Sequence, residues 1–152
     1  MITLAKLDDA GEIMEFIDKE WKKGHILSKN KDFFFYEYAS QDALNFVISK
    51  NEGRINGILG FLRSSLDDNA TVWTTMWKVS KSNGSPMLGI HLLNYLRAQG
   101  FKSVMSSGIN YATEEIYKYL RFNVGELNHH YLSNQRLDKY SIAKFSNAKI
   151  YD

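Results

Sequence analysis

Hydrophobic and polar positions alternate in short runs along this chain, and the runs predict its elements. Ile2 and Leu4 read as a first short strand. Behind Asp8-Asp9-Ala10, the residues Ile13, Phe16, Ile17 and Trp21 recur at helical spacing. This predicts a helix with an acidic first turn that ends at Gly24. Residues 25–39 carry Phe33, Phe34, Phe35, Tyr36 and Tyr38 behind Asp32 and read as a loop running into a short helix. Two β-rich runs, 44–49 and 54–63, flank Asn51-Glu52-Gly53, so an antiparallel hairpin is expected there. Asp67-Asp68-Asn69 turns the chain into 70–79, the most aromatic strand, with Val72, Trp73, Met76, Trp77 and Val79.

Polar residues 80–85 follow, and the single proline, Pro86, stands where a helix can start. Leu88, His91, Leu92, Tyr95 and Leu96 give that helix its period, and Gly100 stops it. A strand is expected over 102–109, a helix over 110–120, a strand over 126–133 and a last one over 140–146. Antiparallel strands, then a strand–helix–strand crossover, then a closing hairpin make a mixed α/β sheet.

At 152 residues the chain has the length of one domain. We expect that domain over 1–146, with 147–152 as a loose tail or the start of something further. Its 44% hydrophobic and 24% charged residues describe an ordinary folded protein. A net charge of +2 makes no field that would gather nucleic acid. With no cysteine there is no thiolate nucleophile, thiolate metal site or disulfide framework. No run is long enough to span a bilayer and the opening residues do not resemble a signal peptide, so a cytoplasmic location is expected. A homodimer is left open.

The most informative stretch runs from Val79 through Ser85-Pro86-Met87-Leu88-Gly89 to Leu93: a strand, a polar loop and a helix. A helix entrance offers unpaired N–H groups and the positive end of the macrodipole, which suit phosphate. Directly after the next strand, Asn110 is followed seven residues later by Tyr117, in Tyr117-Lys118-Tyr119-Leu120-Arg121-Phe122. Here the chain resembles the GNAT acyltransferases, whose closing signature has an Asn at a strand end, a Tyr seven residues on, and Glu-Lys-Leu-Gly-Phe or a variant of it. The family's Arg/Gln-x-x-Gly-x-Gly/Ala phosphate loop falls on residues 84–89. Gly84 stands where Arg or Gln is usual, Met87 and Arg121 where Gly is usual, and Pro86 removes one N–H from the loop.

The resemblance implies a GNAT fold: a mixed, mostly antiparallel sheet of about seven strands with a central splayed parallel pair, flanked by about four helices. It implies transfer of an acetyl or other short acyl group from acyl-CoA to an amine. Trp77, Val79, Gly84, Ser85, Met87, Leu88, Gly89 and Asn110 fall on cofactor-binding positions, with the N–H groups of Ser85, Met87, Leu88, Gly89 and Ile90 toward phosphate. The strand at Trp77 to Val79 is the place that bulges and turns an N–H to the thioester carbonyl. Tyr117 falls on the tyrosine that protonates the leaving thiolate.

The general base is less well defined, because residues 72–79 hold no carboxylate. His25, Glu37, His129 and His130 are candidates, with His25 first and water leading to solvent as another route. Adjacent His129 and His130 face opposite sides of a strand and cannot form one metal site, so no metal is expected. His91 reads as structural. The order His25-Ile26-Leu27, a polar spacer, and a Phe/Tyr-rich helix resembles GNAT-type enzymes that acylate nucleotide-linked amino sugars for bacterial surface polysaccharides. That resemblance implies Phe35, Tyr36, Tyr38, His25 and His130 against a small acceptor, with Lys22, Lys23, Lys29 and Lys31 near a diphosphate. A protein amine as acceptor and a non-catalytic binding module are the alternatives.

Overall fold

A computed structural model describes residues 1–67, 70–128, 134 and 136. They belong to two compact units, Met1–Ile109 and one that begins at Asn110. The first unit runs β1 (Ile2–Lys6), a 3-10 turn (Leu7–Asp9), α1 (Ala10–Phe16) continuing as a π-helical turn (Ile17–Trp21), α2 (Ile26–Lys29), α3 (Lys31–Tyr38) and β2 (Ala39–Ser40). It goes on through β3 (Ala43–Asn51), β4 (Arg54–Arg63), β5 (Thr71–Val79), α4 (Leu88–Arg97) and β6 (Ser103–Ser106).

These strands form a six-stranded sheet in the order β1-β3-β4-β5-β6, with the short β2 paired to β3. Every pairing is antiparallel except β5 with β6. The mixed, mostly antiparallel sheet with one parallel pair is as expected. The expected strand over 102–109 is shorter, at Ser103–Ser106, and residues 126–128 are not in a strand. Residues 129–133, which include His129 and His130, lie outside the described residues, as do the expected strand at 140–146 and the tail at 147–152.

The β3–β4 hairpin closes through Glu52 and Gly53 at φ +50° and +77°, between the facing residues Asn51 and Arg54. Two consecutive positive φ angles are the signature of a type I′ turn, whose twist matches that of the strands it joins. Along β3, Leu44, Phe46 and Ile48 face Ile13, Ile17, Phe34 and Tyr38 from the helices. Phe46 stacks on Phe34 at 5.8 Å. Truncating so well-buried a ring to alanine costs about 3–5 kcal/mol. Alternation sends Gly57 and Leu59 of β4 to the other face. There a Cβ on Gly57 would meet Leu88 and Leu92 of α4 at 3.1–3.2 Å, so the missing side chain lets α4 lie close on the sheet.

In the second unit α5 spans Tyr111–Tyr119. Asn110 caps it, its Oδ1 accepting from the Thr113 N–H and Oγ1, both at 2.9 Å. Phe122 N–H donates to Tyr117 O and Arg121 N–H to Lys118 O, with Arg121 at φ +62°. These two bonds and the left-handed residue are a Schellman termination.

Candidate functional site

The β4–β5 pairing shifts register between Leu59↔Trp77 and Phe61↔Thr74. One residue of β4, Gly60, therefore lies opposite two of β5, Thr75 and Met76. This bulge puts two consecutive side chains on the face covered by α1 and α3. Met76 joins the core cluster, and Thr75 Oγ1 accepts a hydrogen bond from the Tyr38 hydroxyl at 3.0 Å. Alternation then resumes out of phase and sends Trp77 toward α4, where its Nε1–H donates to Gly89 O at 3.1 Å. Thus the strand is fastened on both faces within three residues.

Beside the bulge the pairing of the parallel strands ends. β5 and β6 are in register from Thr71↔Ser103 to Thr74↔Ser106, where β6 ends; from Thr75 to Val79 β5 stays beside β4 but has no β6 partner among the described residues. The expected parallel pair is present, and its pairing stops partway along β5.

Past β5, Ser80 N–H still bonds to Asn56 O, and a single turn closes by Gly84 N–H to Ser80 O at 3.1 Å. Asn56 Nδ2 supports this turn through Asn83 O at 3.1 Å. Gly84 is required by space: a Cβ there would lie 2.1 Å from Val79 Cγ1 and 2.5 Å from Ser80 O. Its small size permits the loop, where the resembling family carries a long polar side chain. Leu88 N–H is used internally, on Ser85 O. That corrects the expectation that it is free for phosphate. The N–H groups of Ser85, Met87, Gly89 and Ile90 have no partner among the described residues, so four donors remain at the α4 entrance.

One residue of this neighbourhood has no signal in the sequence. Glu20, on the π-helical turn, accepts from Ser80 Oγ at 2.9 Å and from Lys81 N–H at 3.4 Å. Sixty positions separate the partners, and only the packing of the π-helical turn against β5 brings them together. A π-turn is a frequent mark of functional positions.

The other candidates are distributed as follows. His25 is the N-cap of α2, and its Nδ1 accepts the Leu27 N–H at 3.2 Å. A neutral ring held this way carries its proton on Nε2 and has no free lone pair for an amine. Tyr38 is buried with Phe34 and Phe46, and burial pushes its hydroxyl above the ordinary tyrosine value. Phe35 packs against the core with Lys31 above its ring, Tyr36 is exposed, and Glu37 lines a groove of about 380 Å³ with Asn45, Leu62 and Arg63 at the sheet end. The aromatic run thus divides between core and solvent instead of forming one wall. Lys29 pairs with Asp18 at 2.9 Å. His91 stands on α4 and is exposed. In the second unit Tyr117 is buried and meets Phe122 edge-on at 4.9 Å, while Asn110 serves its helix as a cap.

Among the described residues no group of three or more His, Cys, Asp or Glu side chains is arranged to hold a metal ion, and no helix is long and apolar enough to cross a membrane.

No protein-family model matches the chain, and no curated protein matches it in sequence. Solved structures do match in fold. AAC(6′)-Iy, in complex with the bisubstrate analogue CoA-S-monomethyl-acetylneamine, aligns with a TM-score of 0.63 at 14% identity over 88% of this chain and 97% of that one. Glucosamine-6-phosphate N-acetyltransferase from Arabidopsis thaliana aligns at 0.58 and 13%, over 88% and 99%. Ribosomal-protein-alanine N-acetyltransferase from Brucella melitensis biovar Abortus aligns at 0.60 and 11%, over 88% and 98%. With its mixed, mostly antiparallel sheet, its parallel pair and these structural neighbours, the chain has the GNAT fold.

Proposed function

We propose that this protein is an N-acyltransferase that moves an acetyl or other short acyl group from acyl-CoA to the amine of a small acceptor by direct attack. The observation that carries the reading is the edge of β5 beyond its pairing with β6, which leads to a helix entrance with four N–H donors unpaired among the described residues. Bound acyl-CoA would supply an activated thioester and an anionic pyrophosphate. The N–H groups of Ser85, Met87, Gly89 and Ile90 suit the phosphates, and the edge of β5 freed from β6 suits an extended arm that needs main-chain partners.

The chain's own groups then divide the work of acyl transfer. The bulge lies at Thr75 and Met76, just before the Trp77 to Val79 expected for it, and its main chain would offer donors where the carbonyl oxygen gains charge as nitrogen attacks carbon. As the C–S bond breaks the thiolate needs a proton, and Tyr117 is assigned that role on its spacing from Asn110. With the His25 lone pair turned to Leu27, the proton of the incoming ammonium leaves through water. An amino sugar, nucleotide-linked or free, is the acceptor we favour. The support is that structural neighbours include an enzyme named for glucosamine 6-phosphate and one bound to an acetylneamine analogue.

Acetyl-CoA at millimolar concentration should raise the melting temperature, because a ligand selective for the folded state stabilises it by mass action. Thiol release should then depend on an added amine, tested on amino sugars, nucleotide-linked amino sugars, aminoglycosides and N-terminal peptides. A protein with neither a melting shift nor amine-dependent release is a binding module for something else, and the acyl-transfer reading is then wrong.

A further inference from the structure

Thr75 is the first residue of β5 beyond its last pair with β6, Thr74↔Ser106, and it is exposed. It therefore stands at the point where the β5–β6 pairing ends. Three observations fix that side chain. At the bulge it shares with Met76 the face covered by α1 and α3. Gly60 makes room for it, since a Cβ on that glycine would lie 2.6 Å from Thr75 Oγ1 and 2.9 Å from the Phe46 ring. The Tyr38 hydroxyl donates to its Oγ1 at 3.0 Å, from a ring tilted against Phe46 at 4.5 Å.

The direction of this hydrogen bond matters. A buried tyrosine in the core keeps its proton and acts as a donor, so Thr75 Oγ1 serves as the acceptor. A threonine hydroxyl that accepts one bond still has a proton to give. No second partner for it is found among the described residues. A fixed hydroxyl with its proton uncommitted, at the point where the parallel pairing ends, is a preorganised donor for developing negative charge.

We infer that Thr75 is a catalytic residue of acyl transfer, its Oγ–H donating to the thioester carbonyl oxygen as the acceptor nitrogen bonds to carbon, with Tyr38 as the positioning residue that aims it. The inference rests on the acyl-transfer reading. Thr75 keeps its proton throughout: its hydrogen bond strengthens while the oxygen carries charge and relaxes when the C–S electron pair leaves with sulfur.

The test uses acetyl-CoA and the best amine from the panel, with Thr75→Val, Thr75→Ser, Tyr38→Phe and the Tyr38→Phe/Thr75→Val double variant. Removing one such donor typically lowers kcat about 100-fold or more. Thr75→Val should therefore fall about 100-fold in kcat, with KM for acetyl-CoA within about twofold, because the contact strengthens only in the transition state. Thr75→Ser should stay within about threefold of wild type and Tyr38→Phe should fall about tenfold. The double variant should be no worse than Thr75→Val, since Tyr38 acts only through that hydroxyl. Thr75→Val at wild-type kcat, equal losses for Ser and Val, or additive losses in the double variant would overturn the inference while leaving acyl transfer intact. Should Thr75→Val not fold, Tyr38→Phe at wild-type kcat overturns it equally. A wild-type protein that neither gains stability from acetyl-CoA nor consumes it overturns both readings.

Discussion

Tyr117 and Phe122 meet edge to face, their ring centroids 4.9 Å apart and their planes at 89°. They are the two apolar ends of the termination of α5, the place where a Schellman motif puts its hydrophobic contact. Between them Arg121 holds φ +62°, a left-handed conformation that costs a residue with a Cβ about 1–2 kcal/mol. The glycine that the resembling family carries there relieves that cost. Arg121→Gly is therefore expected to stabilise the second unit by about 1 kcal/mol, raising a thermal unfolding midpoint by about 2–4 °C for a chain of this size. An unchanged or lower midpoint would show that the arginine side chain contributes more than its backbone costs.

Gly84 gives the opposite sign. A methyl group there would overlap Val79 Cγ1 and the main-chain oxygen of Ser80, the acceptor of the bond that closes the turn. Gly84→Ala should cost about 1–3 kcal/mol in urea unfolding, the usual range for forced overpacking. It should also abolish the melting shift with acetyl-CoA, since the donors of Ser85 and Met87 move with the turn. Adding Val79→Ala removes one of the two clashes, so it should restore part of the stability and little of the ligand response.

Much of this was legible in the residues, and the reasons differ by element. The β3–β4 hairpin was announced by Asn51-Glu52-Gly53, because only a few residue types close a two-residue turn. The arrangement of β5, loop and α4 was legible from composition and period together. The bulge left no usable trace: Val72-Trp73 and Met76-Trp77 both set large apolar residues side by side, and only the second step adjoins it. The loop donors were overcounted because the Leu88 N–H folds back on Ser85, which depends on local geometry. Nothing in the chain joins Glu20 to Ser80 or Tyr38 to Thr75, because such pairs exist only after packing chooses them. The helix expected to stop at Gly24 does end near it, but the π-helical turn at Ile17–Trp21 has no marker in hydrophobic spacing.

Acid stability should depend on Asp18. Its carboxylate bonds to Lys29 and accepts from Gly24 N–H at 2.8 Å and Ser28 Oγ at 3.0 Å, which holds its carboxyl down at about 2. A group whose pKa is depressed by folding stabilises the fold above its unfolded value and loses that contribution as pH falls through the folded value. The difference in urea midpoint between wild type and Asp18→Asn should therefore be constant from about pH 7 to about pH 5 and shrink from about pH 4 to about pH 2. A difference that persists undiminished at about pH 2 would mean that the amide fails for steric reasons and that charge is not what holds this corner.

Glu20 stands in tension with the proposed phosphate site. Its carboxylate accepts from Ser80 Oγ and Lys81 N–H and so orders the start of the loop, yet it places a negative charge close to where a pyrophosphate would bind. Ordering and repulsion respond differently to salt, because only the second is screened over the Debye length of about 8–10 Å. Glu20→Gln keeps an acceptor for Ser80 while removing the charge. At low ionic strength it should tighten acetyl-CoA binding about threefold by calorimetry, as expected for a charge several ångströms away at an effective dielectric between protein and water. At about 0.5 M salt the gain should vanish. If affinity falls at both ionic strengths, the ordering role dominates, and the loop needs the carboxylate in place before it can present its N–H groups.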